Sequence, residues 1–218
     1  MTRPRSRAQR LLVVWLAGAG LLGAGPAALG QSAGGRAAGA GQGATYPGRY
    51  PFTEADVQFV TGMISHHAQA IVMAGWAESH DAGPSIRTLC ARIINAQSDE
   101  IALMQRWLED RNQPVPEAKP LPVKMKMGGV EHEMLMPGML SEDQMRRLDQ
   151  ARGGEFDRLF LTYMIQHHQG AITMVQQLMA SPGAAQDEAV YKFASDIYAD
   201  QSTEIERMRK MLLTLPSR

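Results

Sequence analysis

Two adjacent histidines occur twice in this chain, as His66-His67 and His167-His168, and imidazole is the side chain that offers a transition metal a nitrogen lone pair near neutral pH. Each pair sits in the same setting, DVQFVTGMISHHAQAIVM at 56–73 and DRLFLTYMIQHHQGAITM at 157–174, with ten of the eighteen positions identical at a constant offset of 101. Packing would ask only for apolar residues at such places, so a duplicated ligand-bearing unit is the economical reading. Met63 lies one turn before His67 and Met73 two turns after His66, and Met164, His168, His167 and Met174 repeat the relation. A thioether therefore lies within reach of each histidine along its own helix. Adjacent helical residues point about 100° apart, so each pair splits into one ring facing the bundle axis and one facing a flank. The repeat predicts pseudo-symmetric His/Met positions rather than one four-histidine cage.

Imidazole suits copper, zinc, iron and nickel, whereas thioethers select for Cu(I), so the combination favours copper: Cu(I) first, with Cu(II) compatible. Glu100 and Glu204, matched on the following helices, would add oxygens suited to Cu(II) or would orient a histidine through its far nitrogen. Met63, Met73, Met164 and Met174 are equally readable as core. A second cluster holds Met125, Met127, His132, Met134, Met136 and Met139, five of the fifteen methionines. His132, Met134 and Met136 there make a labile Cu(I) acceptor, against the alternative that Met134, Met136 and Met139 cover the apolar side of the fold. Asp56 and Asp157 read as first-turn carboxylates complementing the helix dipole. Cys90 is the sole cysteine, so no internal disulfide forms, and its alignment with Ala194 marks a small core position.

The elements carrying these residues follow from apolar spacing. Helices are expected over 54–80 and 155–180, the first capped by Thr53, with partner helices over 84–111 and 185–213. The partner helices repeat at an offset of 104, matching Gln97/Gln201, Ser98/Ser202, Glu100/Glu204, Ile101/Ile205, Met104/Met208 and Leu108/Leu212. The crossover 112–140 contains Pro114, Pro116, Pro120, Pro122 and Pro137 and cannot be one helix. Ser141 and Gln144 form a capping-box pattern opening a short helix over 141–152. The expected fold is all-α: a four-helix bundle of two repeated hairpins, with a long crossover and one short extra helix. It occupies 53–215, as repeat one (53–111), crossover (112–140) and repeat two (141–215).

Residues 1–30 carry Arg3, Arg5, Arg7 and Arg10, then the apolar run Leu11 to Leu22, then small residues up to Gly30. This is a secretory signal pattern with cleavage near Gly30, which implies a periplasmic or extracellular product with no membrane attachment after cleavage. Residues 31–52 form a Gly/Ala-rich tether. The formal charge is zero, but without the signal segment 18 basic side chains face 22 acidic ones, which gives no cationic field for nucleic acid. The implied partner is a metal ion, and a homo-oligomer or a copper-exchange partner protein is compatible with the pattern.

With MISHHAQAIVMA, FDRLFLTYMIQHHQGAITM, MPGMLSEDQMRRLDQARGGEFD, QSDEI and QSTEI in view, the chain resembles the bacterial family catalogued as domain of unknown function 305 (DUF305). The resemblance covers about residues 53 to 213 and implies a ferritin-like helical bundle. It also implies a copper-binding or copper-resistance role, because at least one family member is an exported copper-binding protein of the CopM type. Neither motif helix contains the Glu-x-x-His of a di-iron site, which argues against ferroxidase activity. The expected function is metal binding for buffering, resistance or delivery rather than catalysis. Two alternatives stand beside it: a ferritin-like metal-dependent oxidoreductase, and a metal-free envelope adaptor whose histidines only pack.

Overall fold

The computed structural model describes residues 51–120, 123–127 and 130–216. The expected signal segment 1–30 and the tether as far as residue 50 lie outside the described residues. Five helices follow in order: α1 (Glu54–Gly75), α2 (Pro84–Glu109), α3 (Glu142–Gln150), α4 (Gly153–Ala180) and α5 (Glu188–Thr214). Two short strands, β1 (Val123–Met127) and β2 (Val130–Met134), lie in the crossover. The all-α reading holds, and the four long helices are those expected. No helix among the described residues is long and apolar enough to cross a membrane.

The ends of these helices follow from local chemistry. Thr53 and Asp56 form a reciprocal capping box at α1, and Ser141 and Gln144 do the same at α3, so each side chain satisfies an amide that the first turn leaves free. Pro84 opens α2, where its missing N–H costs nothing. α1 stops at Gly75, short of the expected 80, because Trp76 to Asp81 turn and Asp81 is left-handed at φ 54°. α5 begins at Glu188 rather than 185, since Ala185 is also left-handed at φ 55° and Asp187 takes the cap, accepting from the Ala189 and Val190 amides. The same Asp187 pairs with Arg111 and accepts from Trp107 Nε1 at 3.0 Å, fastening the end of α2 to the start of α5.

The hairpins interlock through their aspartates. Asp56 Oδ1 accepts the Ala185 amide at 2.7 Å, and Asp157 accepts the Gly83 amide at 3.1 and 3.2 Å. Each motif helix thus ties down the turn that follows the other, so both residues are structural, as expected, and do more than complement a dipole.

Two apolar clusters divide the core. One joins Phe59, Val60, Met63 and Ile64 from the first half of α1 to Met174, Val175 and Leu178 from the last half of α4, with Met104, Trp107, Met136 and Met139. The other joins Met73 and Ala74 from the end of α1 to Phe156, Phe160 and Met164 from the start of α4, with Cys90, Leu140 and Met208. α1 and α4 therefore run antiparallel, and the histidine pairs fall midway between the clusters. Cys90 is packed as expected, its thiol pushed up to about 12 by burial, with Asp157 adding to the shift.

The crossover departs from the expected loop. β1 and β2 form an antiparallel ribbon pairing Lys124 with Glu133, Lys126 with Glu131, Met125 with His132 and Val123 with Met134. The period-two alternation of VKMKM and VEHEM suits such a ribbon. Beyond the ribbon, Pro137-Gly138 seats on α4, where a Cβ at Gly170 would fall 1.9 Å from the Pro137 carbonyl oxygen. Gln69, the counterpart of Gly170 in the first repeat, clamps the same segment by accepting the Leu140 amide at 2.7 Å and donating to the Leu140 carbonyl at 3.0 Å. Gly170→Ala is expected to lower stability by about 1–3 kcal/mol, the cost of forcing backbone apart in a packed region, measurable as a lower urea midpoint at unchanged slope.

Candidate metal centre

Four histidines form one buried row across the middle of the bundle. The ring centroids of His66 and His67 are 6.4 Å apart, those of His167 and His168 are 6.2 Å apart, and those of His66 and His167 are 3.8 Å apart at a 39° tilt. All four side chains are 0% exposed. The inner rings meet across the α1/α4 contact, while His67 faces α2 and His168 faces α5. This is the expected split of each pair, and the inner rings also touch across the repeats.

The hydrogen bonds assign the protons. His66 Nε2 lies 2.9 Å from the Pro137 carbonyl oxygen, and His167 Nε2 lies 3.0 Å from the His66 carbonyl oxygen. A carbonyl only accepts, so both Nε2 atoms carry hydrogen and donate. His168 Nε2 donates to Glu204 Oε2 at 2.8 Å, and His67 Nε2 stands 2.8 Å from Glu100 Oε2, though outside hydrogen-bond geometry. Glu204 thus makes the orienting contact to the far nitrogen of His168, while Glu100 lies at ion-pair distance from His67 without a hydrogen bond. Nδ1 has no hydrogen-bond partner in any of the four rings, and in His67 Nε2 has none either.

Burial, with the neighbouring His67, lowers the His66 pKa to about 3, and burial with the adjoining histidines holds His167 well below its usual range. The inner rings are therefore neutral, and each Nδ1 keeps its lone pair. A buried polar atom left without a partner costs about 1–3 kcal/mol, and four in one layer call for an explanation.

Two further residues, not anticipated as site members, are buried without partners on the helices that carry Glu100 and Glu204. Gln97 and Gln201 are each 3% exposed, and neither amide nitrogen nor oxygen has a partner. Each lies three residues before Glu100 or Glu204, on the same helix face. Their recurrence at the offset of 104 was the signal, and it was visible in the sequence. His80 is a contrast: its Nε2 donates to the Asp149 carbonyl at 2.8 Å and its Nδ1 lies 2.8 Å from Ser79 Oγ, so it is fully partnered and structural.

Met63, Met136 and Met174 lie in the first apolar cluster, and Met73 and Met164 in the second, so the thioethers flank the row on both sides. Met136 and Met139 are buried there, which fits their reading as cover for the bundle. His132 and Met134 belong to β2, but their side chains lie outside the described set. Among the described residues, no three His, Cys, Asp or Glu side chains converge as a ready-made metal cluster. The inner rings are also too close to admit an ion between their faces.

The chain matches the family described as Domain of unknown function (DUF305) over residues 56–212. Among solved structures, a DUF305 fragment from Deinococcus radiodurans is 31% identical with a TM-score of 0.60, covering 75% of this chain and 98% of that one. CopM in its Cu(I)-bound form is 28% identical with a TM-score of 0.56, covering 74% and 98%, and CopM is also solved with Cu(II) and with Ag. A DUF305 protein from Streptomyces coelicolor named as secreted is 24% identical with a TM-score of 0.61, covering 73% and 92%, and shares the fold. A curated relative, the uncharacterized protein L153 of Acanthamoeba polyphaga mimivirus, is 39% identical over 56 residues, which span 26% of this chain and 37% of that protein. With the family match extending over both hairpins and the crossover, this chain belongs to the DUF305 family.

Proposed function

We propose that this protein is exported and binds copper, chiefly as Cu(I), through the Nδ1 atoms of His66, His67, His167 and His168 with support from nearby methionine sulfur, in order to buffer or deliver the ion. The observation that carries the reading is the layer of four buried imidazoles whose Nδ1 atoms have no partner, with the His66, His167 and His168 rings already oriented through Nε2. Holding the far nitrogen by an oxygen acceptor is how proteins fix a metal-binding imidazole in the right tautomer. Sulfur from Met63, Met73, Met164 and Met174 makes the surroundings soft, which favours Cu(I) over zinc or iron. The binding of Cu(I), Cu(II) and Ag by CopM points the same way.

Export rests on the cationic, apolar and small-residue order of residues 1–30, with cleavage near Gly30 and the following residues to 52 as a tether. Glu204 holds the His168 ring and Glu100 faces the His67 ring, and His132, Met134 and Met136 form a separate, labile acceptor. The deciding experiment is elemental analysis of the protein recovered from its exported compartment without chelators. Copper at near-stoichiometric level is the expected result. Zinc or iron in its place, or no metal at all, overturns the reading, whereas affinity in vitro alone would flatter copper.

A further inference from the structure

We infer that Cu(I) reaches the histidine row from one side only, through the cleft lined by Met136 and Met174, whose thioethers hold it first over Gly62. The inference rests on the copper reading above and adds a direction of access. The cleft has a volume of about 350 Å³, with Phe59, Met136, Pro137, Met174 and Leu178 in its lining. At Gly62 the place a Cβ would occupy is 3.1 Å from Met136 Sδ and 3.4 Å from Met174 Cε. The missing side chain is therefore what lets two thioethers gather over one point of α1. Gly62 is four residues before His66, on the same face of the helix and one turn away. Pro137, which lines the cleft, also supplies the carbonyl that accepts the His66 Nε2 proton. One residue thus joins the cleft to the row.

The second repeat lacks this arrangement. The counterpart of Gly62 is Tyr163, the counterpart of Met174 is Met73 in the other apolar cluster, and the segment carrying Met136 occurs once in the chain. The pseudo-twofold is broken at the residues that would admit an ion.

Transfer from sulfur to nitrogen is ligand exchange. The ion stays Cu(I), a neutral thioether lets go of it as the unpartnered Nδ1 lone pair of His66 takes it, and Nε2 keeps its proton on Pro137. No electron or proton has to be supplied. Two neutral sulfurs bind softly and reversibly, which suits a holding point that must release.

The test is stopped-flow transfer of Cu(I) from its bicinchoninate complex to the exported protein, with NMR of the histidine side chains reporting arrival. Met136→Leu/Met174→Leu conserves volume and removes both sulfurs; its loading rate is expected to fall at least tenfold, with a much smaller loss of final affinity. Gly62→Ala, which presses on the Met136 sulfur while keeping it, is expected to slow loading in the same direction and serves if the double variant does not fold. Met179→Leu, at an exposed thioether of α4, controls for general loss of sulfur. Loading of the folded double variant, or of Gly62→Ala in its place, at the wild-type rate overturns the route alone. Cu(I) bound with no change at any of the four imidazoles in the wild type overturns the reading beneath it.

Discussion

Alanine at His66, His67, His167 and His168 together is expected to lower Cu(I) affinity by about a thousandfold or more in a competition titration against a chelator, equivalent to roughly 4 kcal/mol of lost binding. The size follows from the removal of every unpartnered imidazole nitrogen in the layer at once. Two double variants divide the effect. His66→Ala/His167→Ala takes the touching inner rings, and His67→Ala/His168→Ala takes the rings that face Glu100 and Glu204. Glu204→Gln leaves the nitrogens in place but weakens the contact that orients His168, for which a loss of about 10–100-fold is expected. Far-ultraviolet circular dichroism establishes that each variant is folded. Wild-type affinity in the folded quadruple variant would mean that the ion is held elsewhere, the ribbon with Met125 and His132 being the next place to look.

Gln97→Leu/Gln201→Leu should have the opposite sign on stability. Neither amide has a partner, and an orphaned buried polar group costs about 1–3 kcal/mol that an apolar replacement of similar shape removes. Urea unfolding of the copper-free protein is therefore expected to show a gain of that order at each position. If the amides also help to hold the ion, the same variant gains less from added Cu(I) than the wild type does, since a ligand stabilises only in proportion to its affinity for the folded state. A destabilised double variant would show instead that both amides are satisfied inside the native protein, and their part in a vacant polar layer would have to be abandoned.

The duplicated motif exposed the architecture because the same residues had to do the same work twice. Identity at His66/His167 and His67/His168 marked the row, and identity at Asp56/Asp157 marked the cross-ties. The places where the repeats differ were harder to interpret alone. Gln69 against Gly170, and Gly62 against Tyr163, look like neutral drift in a line of sequence. In the fold they are where a single crossover docks on a doubled scaffold. The ribbon was missed for a related reason: a run of methionines draws attention to sulfur, while the period-two alternation that suits a ribbon lies in the same residues. Gln97 and Gln201 were visible as a repeat, yet an uncharged amide carries no sign of its role until its surroundings are known to leave it without a partner.

The reciprocal aspartate ties bear on ancestry. A single hairpin containing α1 and α2 would present Asp56 with no Ala185 amide to receive and a Gly83 amide with no Asp157 to accept it. Two such hairpins related by a twofold axis would satisfy both at once, each carboxylate closing the other's turn. The present chain has the bonding of an isologous dimer written into one polypeptide, so its ancestor could have assembled as a pair of identical hairpins before a linker joined them. A single polypeptide can set Gly62 against Tyr163 and Gln69 against Gly170, a difference that identical subunits cannot have.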